Sequence, residues 1–110
     1  MTRGTAVLVL FLAAVLEAGG DAVIRTALHR PSGAARILFF TLGAALLFAY
    51  GYTVNAPPWD FGRLLGLYVV FFFIVAQAIS WIGFGHRPSL AVICGGALII
   101  SGGIVIAVFQ

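Results

Sequence analysis

Glu17, Asp21 and Arg25 stand four residues apart, directly after an uninterrupted apolar run from Ala6 to Leu16. Run and charges together are long enough for a helix that crosses a bilayer, which takes about 20 residues. Glu17 then falls within the hydrocarbon, where insertion scales put a charged side chain at roughly 3 kcal/mol. A group kept there at that cost is expected to face a protein interior or a watery cavity. Residues spaced by four stack on one helix face, with Glu17 deepest and Arg25 nearest the mouth. Low dielectric disfavours a bare carboxylate, so either a proton or a cation must neutralise it. The two compete, and that competition suffices to exchange one for the other. The rival reading is a structural ion pair with Arg25. Asp21 suits that role better; Glu17, one turn deeper, suits the binding role.

Other polar and aromatic residues follow in the third apolar run. Tyr68 and Trp81 offer faces on which a cation can rest, although Trp81 also reads as an interfacial or packing aromatic. Gln77 and Ser80 can hydrogen-bond between helices. His29 and His86 fall in connections and read as surface residues. Gly19-Gly20 lets a neighbouring backbone come close, either for packing or to shape the site. Cys94 lies inside an apolar run and, as the single cysteine, reads as a small packing residue. The sequence shows no metal-ligand spacing, phosphate-binding loop, nucleophile elbow or dinucleotide fingerprint. It shows no second polar cluster pairing a nucleophile with a base. Neither an enzyme nor a resident cofactor is expected.

The elements that must hold these residues are apolar throughout. Of 110 residues 63% are hydrophobic and 8% charged, with a mean hydropathy of +1.17. A soluble domain of this size has too little interior to hide such a surface, so the expected solvent is lipid. The net charge of +3 comes from arginines, which cluster near the ends of apolar runs, as interfacial anchors do. They form no basic face interleaved with aromatics, so nucleic acid is not an expected partner. Spans are expected at about 5–24, 37–54, 64–84 and 90–109, making residues 1–110 a single all-α, four-helix transmembrane domain. The charged residues after Leu16 continue in helical register, which argues against a cleaved leader over the first run. Arg30-Pro31-Ser32-Gly33, the Pro57-Pro58-Trp59 turn and Gly85-His86-Arg87-Pro88 are the connections. They are short enough to make sequential helices antiparallel neighbours. Tyr50 and Tyr52, near the end of the second span, read as interfacial. Arg25, Arg30, Arg36 and Arg87 fall on one side, and Arg3 and Arg63 on the other. That bias weakly favours a cytoplasmic position for the first and third connections, and permits insertion in both orientations.

The fourth span carries Gly95-Gly96 and Gly102-Gly103, seven apart, which predicts a smooth stripe for helix packing. The stripe can meet helices of the same chain or a second copy. Four helices make a thin cavity wall, which favours the second copy.

These features together resemble the small multidrug resistance transporters of the drug/metabolite transporter superfamily. Glu17-Ala18-Gly19-Gly20 with Arg25 looks like that family's Glu-x-x-Gly followed by a basic residue. Ser80-Trp81-Ile82-Gly83-Phe84-Gly85-His86-Arg87 is similar to its third-helix ending. Gly95, Leu98, Ile99 and Gly102 fit its fourth-helix dimerisation motif, with Gly103 where a larger apolar residue is usual. Phe61-Gly62-Arg63-Leu64 and Arg87-Pro88 also resemble the YnfA-like branch. The resemblance implies an antiparallel, dual-topology homodimer in a bacterial inner membrane. It implies one shared site where two Glu17 side chains alternately bind protons and a small cationic, lipophilic or guanidinium-like compound. Tyr68 takes the position where the family usually has Trp, and Asp21 adds a carboxylate where a small polar residue is common. The expected activity is proton-coupled export. The alternative is a non-transporting membrane protein, an assembly partner or half of a heterodimer.

Overall fold

In the computed structural model, which describes residues 2–31 and 33–109, four helices account for nearly all of the chain. They are α1 (Arg3–Leu28), α2 (Ala34–Val54), α3 (Phe61–Phe84) and α4 (Leu90–Phe109). Each is long and apolar enough to cross a membrane, and the chain reads as a multi-pass membrane protein. Ser32, within the first connection, lies outside the described residues.

Three helices start or end outside the apolar runs, and side-chain caps set the starts of two of them, α1 and α3. Thr2 caps α1, its hydroxyl accepting from the Thr5 amide at 3.1 Å. The helix then runs past Ile24 to Leu28. Asp60 caps α3 in the same way, accepting from the Arg63 amide at 3.2 Å, so that helix begins at Phe61. α2 begins at Ala34, directly after Gly33. Gly85 ends α3 with a φ of 70°, a left-handed conformation that glycine adopts without a Cβ clash. The Gly85 and His86 amides there donate to the carbonyls of Trp81 and Ser80 at 3.0 and 2.9 Å.

α1 is the central helix. Of its membrane-length window 28% is buried, against 11% for each of the other helices. Ala6, Leu10, Ala13, Ala14 and Ala18 form its buried stripe, and small side chains there let its neighbours approach. Backbones come close between α1 and α2, α1 and α3, and α3 and α4. Sequential antiparallel packing therefore does not extend to α2 and α3. α1 lies between them, and they meet through larger side chains such as Tyr50 and Tyr68. Glycines mark the tightest crossings. A Cβ on Gly20 would stand 2.9 Å from Leu47 and 3.3 Å from the Gly43 carbonyl, and one on Gly43 would stand 2.5 Å from Ile24. α4 sits at the edge, packed chiefly on α3.

Candidate functional site

The Tyr68 hydroxyl donates a hydrogen bond of 2.8 Å to Oε1 of Glu17, joining residues 51 positions apart. Tyr68 is 4% exposed, so its ring is a fixed part of the core. α1 presents Glu17 next to Ala18 of its buried stripe, and α3 presents Tyr68 in line with Leu64 and Val75, which are also buried. The Tyr68 ring lies between Tyr50 of α2, at a centroid distance of 5.6 Å, and Phe72, at 6.3 Å. Tyr50 is thus packed against the core and is not the free interfacial aromatic its position suggests. Tyr52, at 79% exposure, does face outward. The carboxyl group accordingly sits where three helices meet. One of its oxygens is held by the Tyr68 hydroxyl, and among the described residues the second has no hydrogen-bond donor.

One turn towards the ends of α1 and α3 lies a cleft of about 310 Å³. Asp21, Arg25, Phe72, Ser80, Phe84 and His86 are among its lining residues. Glu17 is not part of this wall. Phe72 lines the cleft and packs beside Tyr68, so the cleft and the Glu17–Tyr68 pair share one wall. Asp21 and Arg25 therefore share the cleft, and Glu17 lies one helical turn from Asp21. The Arg25 guanidinium lies over the Phe84 ring at 5.6 Å, and the His86 ring stacks on Phe84 at 6.1 Å. Trp81 is 51% exposed and carries Arg87 over its ring at 5.5 Å, which places it at the end of the bundle. Gln77 lies apart from both, lining an apolar groove between α3 and α4. Among the described residues, no three His, Cys, Asp or Glu side chains gather in an arrangement that could hold a metal ion.

The glycine doublets of α4 divide between two faces. A Cβ on Gly96 would strike Phe73 and one on Gly103 would strike Val70, so these two glycines let α3 and α4 close together. A Cβ on Gly95 or Gly102 would meet nothing within 4 Å. Leu98 is 75% exposed beside them, while Ile99 is half-buried. The single stripe expected from sequence is two stripes, one used within the chain and one open. The structure adds Gly66, whose missing Cβ makes room for Ile106. Its isolated position within an apolar run gave no separate signal.

Compared with family models, with curated proteins and with solved structures, the chain matches none.

Proposed function

We propose that this chain is a proton-coupled antiporter that exports small cationic, lipophilic or guanidinium-like compounds through a site centred on Glu17. The observation that carries this reading is the Glu17–Tyr68 hydrogen bond inside a bundle of membrane-length helices. A carboxyl group fixed by one buried donor and free at its other oxygen can exchange a proton for a cation without rebuilding the site. Tyr50 and Phe72, partly exposed beside the buried Tyr68 ring, supply aromatic surface suited to a lipophilic cation. Asp21, in the adjoining cleft, gives an arriving cation a first carboxylate on its way to Glu17.

The transporting unit in this reading is a homodimer, with the open face of α4 at Gly95, Leu98 and Gly102 as its seam. Ile99, half-buried, flanks that seam. Small residues let such helices pack by dispersion, since lipid provides no hydrophobic drive. An antiparallel pair would bring two Glu17 side chains to opposite sides of one cavity, and rocking of the helices would expose it to each side in turn. The weak arginine asymmetry is compatible with insertion in both orientations. A bacterial inner membrane is the proposed location.

The test is proton-driven uptake of a guanidinium or quaternary ammonium probe into vesicles. The expected result is uptake by the wild type and none by Glu17→Gln at equal protein content and equal dimer fraction. Unchanged uptake by Glu17→Gln would refute the coupling role. No uptake by either would favour the assembly-partner reading.

A further inference from the structure

We infer a second site, independent of the transport reading, that binds the phosphate of an anionic lipid headgroup where α1 and α3 end together. A recess of about 440 Å³ there is lined by Arg25, Thr26, His29, Arg30, Phe84 and His86. Its size falls within the range of small-ligand sites, roughly 300–1,000 Å³. Two guanidinium groups and two imidazoles face one space. The nearest acidic side chain on α1, Asp21, lines the adjoining cleft and not this recess. Such a concentration of donors between membrane helices is the chemistry that recognises phosphate headgroups.

The donors are held by aromatic rings, which leaves their N–H edges available. Arg25 lies over Phe84 at 5.6 Å and Arg30 over Phe39 at 4.5 Å. Cation–π contact engages the guanidinium face and leaves its in-plane donors free for oxygen. His86 stacks on the same Phe84, so α1 and α3 are tied together at the floor of the recess. The helix ends would otherwise oppose an anion, because their free carbonyls carry partial negative charge. Here several of those carbonyls already have donors. Arg25 O accepts from the His29 amide at 3.2 Å. Ala27 O accepts from the Arg30 amide and from Arg36 Nε, each at 3.2 Å. Arg25 and Arg30 are therefore not needed as caps. The Thr26 hydroxyl donates to Ala22 O at 2.9 Å, and its oxygen can still accept.

Position favours a lipid over a free anion. The recess lies at the end of two membrane-length helices, and Leu28 and Ile82 at that end are 57% and 87% exposed, leaving apolar surface for acyl chains. Because Arg25, Phe84 and His86 also line the Asp21 cleft, a bound headgroup would stand at its mouth.

The experiment measures lipid retention by the full-length protein in mild detergent, using native mass spectrometry with phosphatidylglycerol, phosphatidylcholine or inorganic phosphate. The double variant Arg25→Gln/Arg30→Gln is compared with Arg3→Gln/Arg63→Gln, which removes the same charge at the opposite end. At roughly 1 kcal/mol per arginine, the first pair should weaken phosphatidylglycerol binding about thirtyfold and the second should leave it unchanged. Inorganic phosphate that displaces the lipid from the wild type would support the same site and show that a free anion can also fill it. Equal retention by both variants would overturn the site, as would phosphatidylcholine held as tightly as phosphatidylglycerol. If the double variant does not fold, the single variant Arg30→Gln, beyond the end of α1, should by itself weaken phosphatidylglycerol binding about fivefold, and unchanged binding would overturn the site.

Discussion

At the scale of single residues, the account rests on one oxygen-to-oxygen contact. Tyr68 donates to Glu17 at 2.8 Å from a position that is 4% exposed. A hydrogen bond to a charged acceptor contributes roughly 1.5–3 kcal/mol, which is a large effect on a group proposed to alternate between a proton and a cation. Tyr68→Phe keeps the ring and removes the donor. At fixed pH the cation then competes for a carboxylate that has lost a stabilising partner. Cation binding should weaken at least about tenfold, with helix content unchanged. Tyr50→Phe keeps the ring that packs on Tyr68 and should change binding little. Isothermal titration of the detergent-solubilised protein with a quaternary ammonium probe separates the two. Equal losses in both variants would mean that the Tyr68–Glu17 hydrogen bond has no special part in binding, and an unchanged Tyr68→Phe would mean that the ring suffices. Sequence marked Glu17 and Tyr68 separately, because a deep carboxylate and an amphipathic aromatic are each visible in a linear chain. Their hydrogen bond was not legible. It depends on how α1 and α3 are rotated about their axes, which the alanine stripe of α1 and the Leu64, Tyr68 and Val75 line of α3 decide. Tyr50 shows the same limit. Its place near the end of a span suggested the interface, while helix rotation turned it onto Tyr68.

At the scale of elements, the four helices were legible because each apolar run exceeds what a bilayer needs. The starts of α1 and α3 were less so, since Thr2 and Asp60 act through hydrogen bonds that hydropathy does not register, while the end of α3 at Phe84 and both limits of α4 fall where the sequence put them. The glycine doublets were readable in principle. Neighbouring residues on a helix point about 100° apart, so two adjacent glycines serve two faces. Which face meets α3 is a tertiary matter, and the structure assigns it to Gly96 and Gly103. This division makes opposite predictions for neighbouring positions. Gly103→Ala forces a methyl group against the stiff, β-branched Val70 and should destabilise the fold by about 1–3 kcal/mol. Gly102→Ala has open space within the chain and should not destabilise the monomer, the better helix propensity of alanine adding up to about 1 kcal/mol. Larger side chains at Gly95 and Gly102 should lower the dimer fraction in cross-linking without altering the monomer's helix content. An unchanged dimer fraction would remove this face from the proposed seam.

At the scale of the whole molecule, the arrangement is a thin bundle with α1 at its centre and α4 at its edge. One chain provides the Glu17–Tyr68 pair and, one turn away, a cleft lined by Asp21 and Phe72. In the proposed transport cycle, a shift of α3 against α1 would join this cleft to Glu17. The open edge of α4 is where a second copy would complete the wall. The measurement that bears most directly on the central claim is proton release from purified protein in weakly buffered detergent near pH 7, on adding a guanidinium or quaternary ammonium cation. The account predicts saturable release from the wild type and none from Glu17→Gln. Release of the same size from Glu17→Gln, or cation binding by the wild type with no release, would contradict it.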